Sequence, residues 1–338
     1  NINEGQAPDV WIPDSSTWID AIDPDATKGQ WLQGQSIATS PVVLATGADQ
    51  QGEVKQVQSW GNLLNTEGGL RMANPDSDTA SRLAFHASRI GQPDRIGLET
   101  GERLIFMSRF AAPSLNKLLA DYTADQKKTQ PFPASEQQIA AYNEENPDVT
   151  PLRAVMPKKG TLSLDYPWIM NPELKGDALA IADRARTELG TVETREALTE
   201  AGFRDSNGSG GPEIAWQAPA ELTELDPLDR NERLDAVDQW DKMRTDMRML
   251  AVIDASGSME WDSPSPGRTR WEVTKGSLTK GAGILPDGSQ VGAWIFSTDQ
   301  AKGRDYRELS PVTRLDAKAG SGTHRDRLLS LVKNSDRY

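Results

Sequence analysis

Apolar and polar residues follow two patterns along the chain. Short apolar runs such as Val10–Ile12 and Ile37–Ala45 predict strands, whereas residues 179–189 place apolar side chains at helical spacing. Met249–Ile253 and Val291–Phe296 are continuous apolar runs, which are typical of strands buried on both faces of a parallel sheet. A helical pattern separates these two runs, so their order is that of a βαβ unit. The whole pattern predicts an α/β protein.

Three breaks in the pattern indicate how the chain is organised. Pro41 removes a backbone donor, so the strand at 37–45 is expected at a sheet edge or in a crossing segment. Ser206–Pro212 is rich in glycine and predicts a linker. Residues 219–241 carry eight acidic residues against two arginines, with apolar residues at helical spacing, which predicts an amphipathic helix with an acidic, solvated face. These breaks divide the chain into residues 1–205, 206–247 and 248–338.

Composition and charge exclude several classes of function. The 338 residues carry a formal net charge of −13, which argues against a protein that binds nucleic acid through its phosphates. Because the chain has no cysteine, disulfide frameworks, Cys-ligated metal centres and thiol catalysis are excluded. There are only two histidines and no phosphate-binding glycine-rich motif, so we predict a non-enzymatic protein without catalytic or cofactor-binding residues. No apolar run could span a bilayer, so attachment to a membrane would need an anchor outside this chain.

The strongest chemical signal follows the apolar run Met249–Ile253 directly, where Asp254, Ser256 and Ser258 alternate with small residues. Ligands bind at this end of strands in open α/β sheets. Divalent cations take oxygen ligands, and Mg²⁺ needs only one or two carboxylates. The three residues are therefore candidate ligands of Mg²⁺, or of Mn²⁺ or Ca²⁺, with open positions that an acidic residue of a partner protein would fill. The alternative is a strand-to-helix turn in which the serines are helix caps.

Residues 249–258 resemble the von Willebrand factor A (vWA) domain, in which a DxSxS pattern forms the metal-ion-dependent adhesion site (MIDAS). Val291–Ser297 is similar to the next strand of that domain. The resemblance implies a partial vWA domain with a doubly wound, Rossmann-like sheet. The family completes its site with a later threonine and aspartate. Thr323 is either that threonine or the cap of a helix that begins at His324, and we expect the native chain to continue beyond Tyr338.

Five short stretches in the first two hundred residues follow one another in a characteristic order: Pro8–Ser16, Ile37–Thr46, Ser135–Gln138, Gly160–Pro167 and Ala201–Arg204. In this order and spacing they resemble the bacterial extracellular solute-binding proteins, in particular those fused in front of a vWA domain. The resemblance implies a periplasmic-binding-protein-like fold, in which two α/β lobes joined by crossing strands close over a cleft. The strand and helix with which the family begins are missing before Asn1.

Hydroxyl groups and free backbone amides at strand-to-helix turns suit a small polar or anionic solute. The candidate ligand-binding residues lie at such turns or in the last predicted strand of the region: Ser15, Ser16, Thr39, Ser40, Ser81, Asp165 and Tyr166. Each serine or threonine has the alternative role of a helix cap. No arginine stands where it would obviously clamp a carboxylate.

Three functions are compatible with these features. The first is a bacterial cell-surface recognition or adhesion protein, outside the cell, in which the vWA domain binds an acidic residue of a protein ligand through a divalent metal and the solute-binding-like domain is a scaffold. The second is a solute receptor of a membrane transport system. The third is a vWA partner of a metal chelatase or an ATPase.

Overall fold

The computed structural model describes residues 8–22, 32–47, 57–63, 70–92, 98–212 and 222–334. The chain divides into two compact units. Unit 1 comprises residues 1–100 and 110–239, and unit 2 comprises residues 101–109 and 240–338. The division falls inside a helix at residues 239 and 240, whereas the sequence predicted the second domain from residue 248. None of the helices in the described ranges has the length and apolar character needed to cross a bilayer.

Runs of strands and runs of helices follow one another through the described chain. The strands are β1 (Val10–Trp11), β2 (Leu32–Ser36), β3 (Ser40–Gly47), β4 (Phe132–Ser135), β5 (Leu152–Val155), β6 (Ser163–Leu164), β7 (Pro167–Met170), β8 (Arg248–Asp254), β9 (Gln290–Ala301), β10 (Arg304–Arg314), β11 (Lys318–Ala319) and β12 (Gly322–Thr323). The helices are α1 (Trp18–Ile22), α2 (Trp60–Leu63), α3 (Thr79–Arg89), α4 (Leu98–Arg109), α5 (Leu115–Ala124), α6 (Glu136–Glu145), α7 (Gly176–Leu189), α8 (Val192–Glu200), α9 (Arg230–Arg244), α10 (Arg270–Ile284) and α11 (His324–Lys333). A single 3₁₀ turn, Gly257–Glu260, follows β8. These elements confirm the α/β class.

The central strand of unit 1 is β3, which lies between β4 and β5 in an antiparallel sheet. All eight residues of this strand are buried. Its first two residues pair instead with β6, where Pro41 lies opposite Ser163. The proline therefore sits where the strand passes from one set of partners to another. The expected edge position is wrong, whereas the crossing position agrees with the structure.

The core of unit 1 packs the helices α5 and α6 against this sheet. Val43 and Ala45 of β3 belong to the cluster, together with Leu118 and Ile139 from the two helices. Ser135 and Gln138 have the sequence spacing of a capping box. The box is present, because the Ser135 hydroxyl accepts from the backbone N–H of Gln138 and the Gln138 side chain accepts from the Ser135 N–H. That cap fixes the start of α6 directly after β4.

A second, smaller sheet of unit 1 has the strand order β1-β7-β2. Both outer strands run antiparallel to β7, so β1 and β2 are parallel to each other. Their carboxyl ends consequently meet at the same edge of the sheet, beside the start of β7 at Pro167. The turn at residues 13–17, which carries two of the predicted ligand-binding serines, begins at that edge.

The glycine-rich segment after α8 is folded onto unit 1 rather than extended as a linker. Arg204 pairs through its backbone with both Thr39 and Gly210. The Asp205 carboxylate accepts hydrogen bonds from the N–H groups of Asn207 and Ser209, at 2.9 and 2.8 Å. Several glycines in this segment have positive φ angles. The glycines therefore make a tight turn, which is the conformation that they adopt at the lowest cost.

Unit 2 is built on a three-stranded sheet of order β10-β9-β8, in which β8 is parallel to β9 and β10 is antiparallel to it. Helices α10 and α11 cover one face through Trp271, Leu278 and Leu328, which pack around Ile253 of β8. Side chains on the other face stay open to solvent. Val252, for example, is 57% exposed. The expectation that β8 is buried on both faces is therefore wrong in the described part of the chain.

Arginines and helix caps hold the ends of the unit 2 helices. Arg109 and Arg325 both form ion pairs with Asp287, at 2.7 and 2.9 Å, and donate to carbonyl groups at the end of α10. These contacts explain why residues 101–109 group with unit 2. Thr323 caps α11 in a capping box with Asp326. Of the two roles considered for Thr323, the structure shows the cap.

Candidate functional site

A hydrogen-bonded cluster joins the turn after β1 to the N-terminus of α3. The Trp18 indole N–H donates to the Asp14 carboxylate at 2.8 Å and to the Thr79 hydroxyl at 2.9 Å. Thr79 in turn donates to the other oxygen of Asp14, at 2.6 Å. The Arg82 guanidinium lies 4.0 Å from the centre of a Trp18 ring, within cation–π distance. We call these four residues the Asp14 cluster. It connects the sheet that contains β1 to the helix that packs near β3 and β4.

The backbone amides that the sequence offered to an anion already hold carboxylates of the chain itself. The N–H of Ser16 donates to Asp165 at 2.7 Å, and the N–H of Ser81 donates to Asp78, the N-cap of α3, also at 2.7 Å. Burial raises the pKa of Asp78, and the nearby Asp14 carboxylate adds to this rise. Side-chain oxygens of Asp165 and Asp78 thus occupy the two amides, and an anionic solute would have to displace them.

Tyr166 links β7 to the same turn in a strained backbone conformation. Its φ angle of 35° lies in the left-handed region, where bulky residues are outliers. Its N–H donates to the carbonyl of Asp14 and its own carbonyl accepts from Ile37. Burial raises the pKa of the phenol above its ordinary value, and the Asp14 carboxylate adds to this rise. The ring packs edge-on against Phe203 at a centroid distance of 5.1 Å. These two backbone hydrogen bonds and the ring contact hold the strained conformation in place.

The other predicted ligand-binding residues hold backbone or side-chain groups in place. The Ser40 hydroxyl accepts from the N–H of Gln137 at 3.0 Å, and the Ser81 hydroxyl accepts from Ala73 at 3.1 Å. Thr39 donates to the carbonyl of Asp205. Ser15 is buried and bonds to Thr17. The structure thus brings Ser16, Asp165 and Tyr166 together beside the Asp14 cluster, while Ser15, Thr39, Ser40 and Ser81 have internal partners.

Sequence reasoning missed the members of the Asp14 cluster themselves. Asp14 lies in the turn that carries Ser15 and Ser16, and Thr79 is the first residue of α3, two positions before Ser81. Trp18 and Arg82 lie one turn further on, in α1 and α3. The sequence does show a carboxylate in one turn and a hydroxyl at the start of a helix, which are groups that could form a hydrogen bond. It does not specify that these two places are adjacent in the fold.

In unit 2 the predicted metal ligands lie close together at the end of β8. The N–H of Ser256 donates to the Asp254 carboxylate at 2.8 Å, and the Ser256 and Ser258 hydroxyl oxygens are 3.1 Å apart. All three residues are partly exposed. The two hydroxyl oxygens thus lie close together directly after Asp254, and binding of a cation by the three residues stays a prediction. Within the described residues there is no cluster of three or more acidic, histidine or cysteine side chains, so a cation here would depend on hydroxyl and water ligands.

A family model decides the identity of unit 1. The model of the bacterial extracellular solute-binding proteins matches residues 1–204. The chain belongs to this family. No curated protein matches the chain.

Solved structures similar to this chain include HitA and AfuA, and the first agrees with this family at the level of the fold. Iron-bound HitA from Pseudomonas aeruginosa is 14% identical, with a TM-score of 0.53, and the match covers 70% of this chain and 83% of HitA. AfuA from Actinobacillus pleuropneumoniae, a periplasmic binding protein solved with fructose-6-phosphate, is 14% identical over 72% of this chain and 84% of its own, with a TM-score of 0.48. As a solute-binding protein, the chain fits the solute-receptor hypothesis better than the adhesion hypothesis on which the sequence analysis placed most weight.

Proposed function

We propose that the chain is the receptor for a small polar solute, which binds in unit 1 between the sheet of β1, β7 and β2 and the sheet of β3, β4 and β5. Family membership supports solute binding, and the Asp14 cluster supports the location. Its hydrogen bonds run from the turn after β1 to the N-terminus of α3, so they connect the two sheets between which a cleft would close.

In this proposal the hydrogen bonds of the Asp14 cluster hold the two sides of the cleft together until a solute binds. Trp18 shares its single indole N–H between two acceptors, and Asp14 accepts from two donors, so each of these groups has another partner available when a solute takes one of them. A solute that enters between the turn and α3 would exchange these internal bonds for its own. The strained Tyr166 backbone holds the turn in the position that this exchange requires.

Thermal unfolding of the whole chain with a panel of solutes tests the proposal. A solute present at a hundred times its Kd stabilises the folded state by about 2.7 kcal/mol, which raises Tm by several degrees. In Trp18→Phe, which keeps the ring but loses the N–H donor, we expect a weaker response to the same solute. Trp261→Phe is the matched control, since Trp261 lies in unit 2 and is 64% exposed. If no amino acid, sugar, oxyanion or cation in the panel shifts Tm, the receptor function is wrong.

A second function is supported by the geometry at Asp254, Ser256 and Ser258. We propose that these residues bind a divalent cation, Mg²⁺ or else Mn²⁺ or Ca²⁺, in a partial vWA domain, and that an acidic residue of a partner protein completes the coordination at the bacterial cell surface. One carboxylate leaves a divalent ion with net positive charge and open positions. The 3.1 Å approach of the two hydroxyl oxygens and the hydrogen bond from the Ser256 N–H to the Asp254 carboxylate support this proposal, and it involves no enzymatic step.

The cation proposal is tested by unfolding the chain with and without 10 mM of each divalent chloride. We expect Tm to rise with at least one cation in the wild type and not in Asp254→Asn. Asp262→Asn is the control, because Asp262 is a nearby exposed carboxylate outside the cluster. Equal rises in Tm in all three proteins would show that the cations act on the acidic surface in general. The proposed cation site would then be wrong.

A further inference from the structure

An open groove of about 860 Å³ lies in unit 1 at the end of β2, where the junction between α7 and α8 forms the opposite wall. Its volume is in the range of small-molecule sites, about 300–1,000 Å³. One wall contains Gln35, Ser36 and Ile37, and the other contains Arg186, Thr187 and Arg195. We propose that this groove binds the anionic group, a phosphate or a carboxylate, of a small solute through Arg186 and Arg195. This inference rests on the proposed receptor function and names its solute class.

The charge of the lining supports an anion. Arg186 and Arg195 are the charged residues of the lining, which contains no carboxylate. This is the reverse of the whole chain, in which 50 acidic residues outnumber 37 basic ones. Two guanidinium groups offer planar sets of donors that match phosphate and carboxylate oxygens two at a time. Gln35, Ser36 and Thr187 add neutral polar groups for the rest of a solute.

Neither arginine is committed to a strong internal ion pair. Arg186 approaches Asp183 at 3.7 Å, beyond hydrogen-bond distance, and both side chains are about half exposed. Exposed pairs of this kind contribute little to stability. The Arg195 side chain is exposed and forms no ion pair with any residue that the structure describes. An anion could therefore bind both groups without first breaking a buried pair.

The fold keeps the two arginines on one wall. α7 ends at Leu189, and Thr191 caps α8 by accepting from the N–H of Thr194. This tight connection places the last turn of α7, with Arg186, beside the first residues of α8, with Arg195. On the opposite wall the Ile37 N–H bonds to the carbonyl of Tyr166. The groove thus borders the same sheet edge as the Asp14 cluster, where the amides are already occupied by carboxylates.

Calorimetry on the full chain, with glucose 6-phosphate, citrate, inorganic phosphate and uncharged glucose as probes, tests this inference. We expect at least one of the three anions to bind and glucose to bind at least tenfold more weakly. In the double variant Arg186→Gln/Arg195→Gln, affinity for that anion should fall at least tenfold. Binding of glucose 6-phosphate and phosphate without citrate assigns a phosphate site, and the reverse assigns a carboxylate site.

Arg184→Gln is the matched control. It removes the same charge from the same helix, but residues two positions apart point to nearly opposite sides of a helix, and Arg184 does not line the groove. An equal loss of affinity in this variant would overturn the site. Binding of no anion, or anion binding that the double variant retains, would also overturn it. If a neutral or cationic solute stabilises the chain instead, the receptor function stands and the anionic class is wrong.

Discussion

Strands β3 and β8 are both short and rich in valine, leucine and alanine, yet they lie in opposite environments. Every residue of β3 is buried. In β8, Leu250 and Val252 are 40% and 57% exposed. Strand β3 has strands on both sides, whereas β8 pairs with β9 alone and helices cover only one of its two faces in the described part of the chain.

The comparison teaches that an apolar run specifies a strand but not what covers it. The side chains of a strand alternate between two faces, and each face needs its own cover. In unit 2 the helices pack on the face of Ile253, so Leu250 and Val252 point to the other side. Asp254, Ser256 and Ser258 therefore follow a strand of a sheet that has one exposed apolar face. The Asp14 cluster instead lies beside α3, whose residues are mostly buried.

The largest difference in unfolding free energy is expected between leucine-to-alanine substitutions in the two strands. Leu44→Ala in β3 removes a side chain that is 1% exposed, and a cavity of that kind costs about 2–5 kcal/mol of unfolding free energy. Leu250→Ala in β8 should cost less than about 1 kcal/mol, because much of that side chain already contacts water. Urea unfolding of both variants measures the two values. Equal losses would show that the open face of β8 is covered in solution.

Two arginine–carboxylate pairs extend the comparison to charge. Glu136 is 1% exposed and pairs with Arg204 through two hydrogen bonds, at 2.7 and 3.1 Å. Glu136→Gln leaves the guanidinium without its counter-charge and should cost about 2–3 kcal/mol, below the full penalty of a buried pair because Arg204 is partly exposed. The similar pair of Arg314 with Asp316 in unit 2 is exposed. Arg314→Gln should leave the urea midpoint unchanged, and a loss as large as that of Glu136→Gln would contradict the comparison.

The sequence predicts those features of the fold that depend on residues close to one another in the chain, and it fails for features that depend on distant residues. The α/β class, the capping box at Ser135 and the helix of residues 179–189 depend on neighbouring residues, and the structure confirms them. The edge position of the strand with Pro41 was wrong, because the proline lies opposite β6 and leaves the later pairings of β3 intact. Pairing partners lie far apart in sequence, and no local pattern names them.

The candidate sites divide in the same way. Asp254, Ser256 and Ser258 lie within five residues of one another, so the turn that brings them together could be predicted from the sequence. The Asp14 cluster joins residues more than sixty positions apart. The groove of Arg186 and Arg195 needs β2 and the α7–α8 junction to be adjacent. The sequence offered no reason to select these two arginines among 37 basic residues.

A smaller, pH-dependent effect is expected in unit 1 from the buried His86. Burial lowers the pKa of His86 to about 3, Arg82 and Arg233 add to this effect, and neither ring nitrogen has a hydrogen-bond partner among the described residues. Between pH 6.5 and 3 the unfolded chain binds a proton that the folded chain does not. Unit 1 should therefore lose up to about 1.4 kcal/mol of stability for each unit of pH lost in this window.

His86→Leu should remove that acid sensitivity, because leucine does not titrate. Asp78 has the opposite effect on stability. Because its pKa is raised in the folded state, its contribution to the free energy of unfolding falls as pH rises above about 3.8. Urea unfolding of the wild type and of His86→Leu at pH 7 and pH 5 measures the effect. An unchanged slope in His86→Leu would rule out His86 as its source.

The smallest expected difference comes from two helix caps of the same design. Ser135→Ala removes a fully buried cap of α6, and Thr323→Ala removes the more exposed cap of α11. We expect losses of unfolding free energy of about 2 and about 1 kcal/mol respectively, measured by urea unfolding, since loss of a cap costs about 0.5–2 kcal/mol.

Thermal unfolding of Thr323→Ala with divalent cations also separates the two roles of Thr323. If it only caps α11, Thr323→Ala keeps the full shift of Tm with divalent cations; loss of that shift would place Thr323 among the metal ligands with Asp254.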